Sequence, residues 1–540
     1  MSESLSSSSR WSVYALLICV GAGLVAARIM GVESPDPRSP TPFQSANDKS
    51  RWATIRALAD DGTYAIDQII FGPQSAPLPF EAMGPQVRGW YTIDLVRHRG
   101  SDGKEHYYSS KPTLLPTLLA GVYWLVRSLT GATLASDPHY VARIMLVLVN
   151  LLPLVGAQVL LTRQIDRLAQ TDWSRLFGVT ALVFGTFVTT FSVTLNNHTV
   201  AALSVIGGLA AALPVWANES RALWRLGVAG LAFGFAAANE LPALSLCVLI
   251  GAALAWKAPL ETLAGYVPAV LLVATAALGT NYIAHGDWRT PYAHRKDGPV
   301  VAQFPGTLQS LRQRGPNPPL EHAIKDAGGE LSHTYFIEIP RRTPKSRRVL
   351  WDQANQQRFA LVQAEGHVEV RRWDDWYDYP GTHWDPATLD GLDAGERSPV
   401  VYAFHCLIGH HGLFSLTPIW LLSAAGCVIW LRGRDPARRG LAGMTILITI
   451  VVLGFYLTRP LIDRNYGGGT SCLRWLLWLT PLWLLTLLPA ADWLGTSRWG
   501  RALALALLAV SVFSAYYAAD NPWADPWIYD YWTRLGWIKY

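Results

Sequence analysis

Charge is scarce in this sequence. Of its 540 residues only 16% are Asp, Glu, Lys or Arg, where soluble proteins carry about 25%. Cysteine is scarce too. The five present (Cys19, Cys247, Cys406, Cys427 and Cys472) form an odd set without a C-x-x-C pair, which excludes a disulfide-stapled secreted protein and a zinc ribbon. No internal repeat of fixed period and no complete phosphate-loop signature occurs. No basic patch is interleaved with polar helix faces either. Nucleic acid is therefore excluded as a partner, although the formal charge is +6 and the pI about 9.0. The charge deficit is also uneven: residues 113–284 hold only 14 of the 84 charged side chains. That rules out a string of soluble domains and points to a bilayer.

What the chain has instead is apolar runs. About 20 apolar residues cross the hydrocarbon core as a helix. Candidates lie near 12–32, 113–129, 140–161, 176–195, 199–217, 223–238, 241–256, 262–284, 413–431, 440–458, 473–489 and 501–519. The first reads as a retained signal anchor, because the rest of the chain is itself membrane-embedded. The reading is an all-α polytopic integral membrane protein with about 11–13 transmembrane helices. Its expected parts are an anchor (1–32), a first external loop (33–112), a bundle (113–284), a second large external loop (285–412), C-terminal spans (413–519) and an aromatic tail (520–540). A loop as long as 285–412 is not a passive connector.

Positive charge sits in the cytoplasm. This assigns Arg163/Arg167/Arg175, Arg221/Arg225, Lys257 and Arg432/Arg434/Arg438/Arg439 to that side. Asn196–His198, Asn239–Glu240, 285–412 and Tyr466–Cys472 then lie on the other. If 33–112 lies there too, an even number of crossings must separate the two polar regions, yet seven runs intervene. One of them, within 223–256 or at 113–129, does not cross.

Three motifs carry candidate chemistry. Asn47 to Ile55 follows the first span and reads as part of an amphipathic helix over 47–60. Trp52, Ile55 and Leu58 give that helix an apolar face suited to the membrane surface. Tyr107-Tyr108-Ser109-Ser110-Lys111-Pro112 stands at the mouth of the next apolar run. Tyr466 to Trp475, with Gly467-Gly468-Gly469 and Arg474, precedes a late span.

At these residues the chain resembles the GT-C superfamily of membrane glycosyltransferases, which use polyprenyl-phosphate sugars. It is most similar to the aminoarabinose transferases and protein O-mannosyltransferases. Asp48-Lys49-Ser50-Arg51-Trp52 matches their Asp-Glu-x-Arg-Tyr-like segment, and Lys111-Pro112 their Lys-Pro-Pro. Arg143 falls where they place an Arg. Gly467 to Arg474 and Gly412 to Pro418 look like motifs of bacterial members. The resemblance covers about 45–200 and extends loosely to 284. One departure is Lys49, where the family has a second acidic residue. The resemblance implies a GT-C-like fold in the cell (plasma or inner) membrane. It also implies a polyprenyl-phosphate sugar donor and a lipid, glycan or protein acceptor, among membrane lipids.

The chemistry asks for the same residue types. Glycosyl transfer to a hydroxyl needs a base, and a positioned carboxylate contributes about 10²–10⁴-fold; Asp48 is the candidate. The departing phosphate needs cations, for which Arg51, Lys111 and Arg474 are candidates. Each has a plainer use. Asp48 suits a helix cap, while Lys111 and Arg474 suit interfacial positions. Tyr107, Tyr108, His198 and Glu240 are candidate substrate-binding residues, since polar groups inside apolar stretches are expensive. No cofactor is indicated by the sequence, and the need for a divalent cation is left open. His405, His410 and His411 could form a metal cluster but have no acidic partner at ligand spacing. The stretch 372–385 alternates rings with carboxylates, as an acceptor surface or a packed loop. The tail 523–540 reads as an interfacial aromatic belt, and the basic run Arg341 to Arg348 as a solvated face. The rival class is a transporter or flippase of lipid-linked or small solutes, but the matching halves such proteins show are absent.

Overall fold

A computed structural model describes residues 6–72, 85–338, 346–355, 357–384, 389 and 391–539. It forms two compact units. The first comprises Met1–Lys49, Leu114–Ala277 and Asp390–Tyr540; the second comprises Ser50–Thr113 and Leu278–Leu389.

The first unit is helical and apolar. Among the described residues, seven helices of the chain are long and apolar enough to cross a membrane: Ser7–Met30, Pro138–Leu168, Asp172–Phe191, Asn197–Trp216, Pro259–His285, Pro436–Leu457 and Arg498–Tyr517. The protein is a multi-pass membrane protein. Three shorter apolar helices (Leu114–Thr130, Leu241–Lys257 and Trp420–Arg432) account for further runs in the sequence. The run expected as one span at 473–489 is broken. Its parts, Arg474–Thr486 and Leu488–Leu494, bend by 44°, with Pro489 in the first turn of the second piece. Proline removes a helix hydrogen bond and clashes with the preceding turn. Gly426 of Trp420–Arg432 packs against the carbonyl of Thr486 with no room for a Cβ.

Helix ends in this unit carry their own caps. The Asn196 carboxamide oxygen accepts from the N–H of Thr199 at 2.8 Å and starts Asn197–Trp216. Its Nδ2 donates to the carbonyls of Phe191 and Thr194, and Asn150 donates to those of Ser192 and Thr194. Buried backbone groups of the 192–196 turn are thereby satisfied. At the opposite end of the spans, Asp166 takes the Tyr14 hydroxyl at 2.8 Å and Arg10 Nε at 3.2 Å, while Arg175 pairs with Asp172 at 2.9 Å.

The second unit corrects the all-α expectation. Strands β1 (Leu95–Arg99) and β2 (Glu105–Ser109) form an antiparallel hairpin. Five further strands, β3 (Val300–Pro305), β4 (Phe336–Glu338), β5 (Arg347–Asp352), β6 (Gln357–Gln363) and β7 (His367–Arg372), form an antiparallel sheet in the order β3-β7-β6-β5-β4. The reason is legible after the fact. In β7, buried Val368 and Val370 alternate with His367, Glu369 and Arg371, the period of a strand with one covered face. Helix Pro318–Asp326 covers that face with Leu320 and Ile324, one turn apart. Such short, charge-flanked alternations make no apolar run, so 285–412 looked like loop.

Candidate functional site

Of the eight residues singled out in the sequence, Asp48, His198, Glu240 and Arg474 belong to the first unit, and Arg51, Tyr107, Tyr108 and Lys111 to the second.

Asp48 lies in the first turn of helix Ala46–Arg56. The Ser45 hydroxyl accepts from the N–H of Asp48 at 3.1 Å, and Asp48 Oδ2 accepts from the N–H of Gln44 at 3.1 Å. This reciprocal arrangement is a close variant of a capping box. The residue in the cap position is therefore Ser45 and not Asp48, whose carboxylate is its partner from the first turn and is 3% exposed. Burial pushes the neighbouring Lys49 ammonium down from its ordinary range, while the charges of Asp48 and Asp36 oppose that. The helix is not the surface helix expected: Trp52 and Ile55 are buried, so its apolar face meets protein rather than lipid.

Gln44 also donates its side-chain amide to the carbonyl of Asp520 at 2.6 Å. That ties the Asp48 turn to the C-terminal segment. Three residues on, the Trp523 ring packs edge-on to Phe191 at 5.4 Å and lies under the Arg474 guanidinium at 4.7 Å. Phe191 in turn packs edge-on to His198 at 6.4 Å. His198 Nδ1 pairs with Glu240 Oε1, which also accepts from Asn197 Nδ2. His198 and Glu240 are both buried. The carboxylate base candidate is thus tied through Gln44 to Asp520, while the cation lies on Trp523 of the same segment and the imidazole–carboxylate pair joins it through Phe191. Trp523 and Gln44 were missed in the sequence, the first because it sits among the rings of an apparent belt. Tyr531 and Trp537, further along, are exposed.

Arg474 Nη2 donates to the carbonyl of Gly467 at 2.7 Å. The turn it holds is strained: Tyr466, Gly467 and Gly468 have φ of 55°, 101° and 73°. Glycine tolerates this region, tyrosine rarely. Tyr466 is fully buried and stacks on His411 at 5.1 Å. His405 and His410 stack at 3.9 Å, and His410 Nδ1 lies 2.5 Å from His411 Nδ1. Burial pushes all three imidazoles down, towards the neutral form. Among the described residues no group of three or more His, Cys, Asp or Glu is placed to hold a metal ion.

Several solved structures are similar to this chain. One is the Archaeoglobus fulgidus oligosaccharyltransferase in the apo form, at 12% identity over 97% of this chain and 57% of that chain, with a TM-score of 0.42. The same archaeal enzyme, AglB, in complex with an inhibitory peptide and a dolichol-phosphate gives 12% identity, 97% and 57% coverage and a TM-score of 0.39. The S. cerevisiae protein O-mannosyltransferase Pmt1-Pmt2 complex bound to the sugar donor gives 11% identity over 97% of this chain and 92% of that chain, with a TM-score of 0.42. The chain spans little more than half the length of the archaeal enzyme. No protein-family model matches the sequence, and no curated protein does.

In the second unit, Arg51 is 1% exposed. Tyr107 and Tyr108 are interior rings of β2. Tyr107 packs edge-on to Phe71 at 5.1 Å and Tyr379 at 5.3 Å, and Tyr108 stacks on His98 at 4.2 Å. Burial pushes both phenols up. Lys111 does not reach towards solvent as an interfacial lysine would. Its Nζ pairs with Asp94 Oδ1 at 2.8 Å, both side chains nearly buried, and lies 6.0 Å from the Tyr292 ring centre. Asp94 carried no signal in the sequence.

The alternating stretch is a packed loop over its described part. Asp374 takes Arg289 at 2.8 Å and His294 Nδ1, and Asp378 takes Arg347 at 3.2 Å. Trp376 stacks on His294 and packs tilted against His98. Burial, helped by the charge of Asp378, raises the Asp375 carboxyl to about 6. Asp385, and residues 341–345 of the basic run, lie outside the described residues.

Proposed function

We propose that this protein is a membrane glycosyltransferase that moves a sugar from a polyprenyl-phosphate donor to a hydroxyl of a lipid, glycan or protein on the non-cytoplasmic side. The observation that carries the reading is that Asp48 and Arg474 are anchored to one segment, Asp520 to Trp523, through Gln44 and through the indole. A base and a cation held by the same stretch suit a single displacement. The acceptor oxygen attacks the anomeric carbon and Asp48 takes its proton. The bond from that carbon to the phosphate oxygen breaks, and polyprenyl phosphate leaves with the electron pair. Arg474 stabilises charge developing on the phosphate, an effect available before the reaction because the guanidinium is already fixed. Arg51 and Lys111 are assigned the same electrostatic role from the sequence motifs. His198 and Glu240 are assigned to sugar hydroxyls. One-step displacement inverts the anomeric centre.

The test is consumption of lipid-linked sugars by the purified protein, with release of polyprenyl phosphate and formation of an inverted glycoside. Movement of an intact lipid-linked sugar across vesicles, with no covalent change, would replace this reading by a flippase.

A further inference from the structure

The ion pair between Lys111 and Asp94 is built, not incidental. The Ser50 hydroxyl donates to the Asp94 carbonyl at 3.1 Å, and a second hydrogen bond at 2.5 Å joins Ser50 to the Ser109 hydroxyl. Ser109 in turn accepts the N–H of Lys111 at 3.1 Å. The N–H of Ser110 closes the frame on the Asp94 carbonyl at 3.1 Å, and the N–H of Asp94 bonds the Thr92 hydroxyl at 3.1 Å. Two serines thus fix the backbones of both partners. The carboxylate stands where the ammonium must meet it, and neither charge has much water.

We infer that Asp94 is a positioning residue that shares the Lys111 ammonium with the phosphate of the lipid donor; this rests on the glycosyltransferase reading. An ammonium has three N–H donors. With one on Asp94, the others remain for a phosphate oxygen. The shared carboxylate weakens the grip of Lys111 on the bound donor and on the released polyprenyl phosphate. The grip tightens as negative charge develops on the phosphate during bond breaking, and the shared carboxylate keeps it from holding the more highly charged product too long. Binding that is stronger in the transition state than with the bound donor raises turnover, whereas equal binding of both states does not.

The test uses the full-length protein in detergent, with a lipid-linked sugar as donor and added polyprenyl phosphate as inhibitor. In Asp94→Asn, donor KM and the inhibition constant of polyprenyl phosphate should both fall about tenfold, since a hydrogen bond to a charged group is typically worth that or more. Turnover should fall as product release slows. Lowered KM together with lowered turnover is not what a loosened fold produces. Lys111→Met should lower turnover by about 10²–10³-fold. In that background Asp94→Asn should change neither KM nor inhibition, because the effect runs through the ammonium. The double neutral variant also avoids a lone buried charge. Asp94→Glu keeps the charge and should restore wild-type inhibition, and it carries the test if Asp94→Asn does not fold. An active wild type with unchanged KM and inhibition in Asp94→Asn, or weakened inhibition in Asp94→Glu, overturns this role for Asp94 alone. A wild type that consumes no lipid-linked sugar and is not bound by polyprenyl phosphate overturns the glycosyltransferase reading, and this role with it.

Discussion

Gln44 links Asp48 to the C-terminal segment: Asp48 Oδ2 accepts the backbone N–H of Gln44 at 3.1 Å, and the side chain of Gln44 fastens that turn to the carbonyl of Asp520. A carboxylate with a structural bond can still be a base, and substitutions separate the two uses. Asp48→Asn keeps an oxygen for the N–H but takes no proton. Turnover should fall about 10²–10⁴-fold with an unchanged melting temperature. Asp48→Ala loses its half of the capping arrangement as well, worth about 1 kcal/mol, and should melt lower. Asn retaining activity within a few-fold of wild type would leave Asp48 as a capping partner only.

Arg474 holds the carbonyl of Gly467 and covers Trp523 at once. Lysine can do neither as a flat fork. Arg474→Lys should lower turnover and loosen the turn together. Gly467→Ala, at a φ of 101°, should cost about 1–3 kcal/mol through the backbone, and because its Cβ would stand 3.1 Å from Arg474 Nε it should displace the guanidinium and lower turnover as well. Urea or thermal unfolding beside turnover measures both. Equal stability in wild type and Gly467→Ala would mean that the turn carries no strain.

How much of this was legible beforehand follows from the kind of signal each residue sends. The apolar runs are long and local, so the membrane class and most helices could be read directly. Lys111 and Arg474 stood at run boundaries, where a charge is conspicuous, and Asp48 was marked by the motif Asp48 to Trp52. Asp94 lies in a polar stretch where a carboxylate attracts no notice. Only the fold of β1 on β2 brings it to Lys111, through a register pairing Leu95 with Ser109. Trp523 was hidden among similar rings, and the bend after Thr486 inside an unbroken apolar run.

His106 supplies a pH dependence outside the spans. Its imidazole lies between Asp67 at 3.3 Å and Asp102 at 3.0 Å. The hydrogen bond to Asp67 is the largest cause, and Asp102 adds to it against the cost of burial, so its pKa is raised to about 9. The folded form holds the proton more tightly than the unfolded form. This contribution is complete below the ordinary histidine pKa and is lost as pH rises through about 9. Partial exposure keeps the effect small. Thermal melts between pH 6 and 10 should show a decline that His106→Asn flattens. Identical slopes in the two proteins would remove His106 as its source.

Sidedness can be tested with single cysteines in a background lacking the five native ones. Arg38→Cys and Arg397→Cys, both at exposed positions, are expected to react with a membrane-impermeant thiol reagent from the non-cytoplasmic face. Arg221→Cys, in the loop assigned to the cytoplasm by its positive charge, should react only after permeabilisation. Reaction of Arg38→Cys from the cytoplasmic side alone would invert the topology.

The His198–Glu240 pair gives the sharpest separation of binding from packing. It sits where helix Asn197–Trp216 begins and Leu223–Asn239 ends. Both residues are buried, and removing the Glu240 carboxylate takes away a buried acceptor that Asn197 Nδ2 and His198 share, at a typical cost of about 1–3 kcal/mol for each donor affected. Glu240→Ala should therefore melt much lower whatever the pair does in catalysis, so it decides nothing. Glu240→Gln keeps the shape and an oxygen for Asn197 Nδ2, and it loses only the charge. If the pair holds sugar hydroxyls, this variant should raise the KM for donor or acceptor about tenfold, the worth of one hydrogen bond to a charged group. Turnover at saturation should change little, because the lost interaction is made equally in the bound and transition states. If the pair only ties two helix ends together, melting falls and KM stays at its wild-type value. Measuring KM for each substrate beside the melting temperature in this one variant distinguishes the two, and an unchanged KM would return His198 and Glu240 to the framework of the bundle.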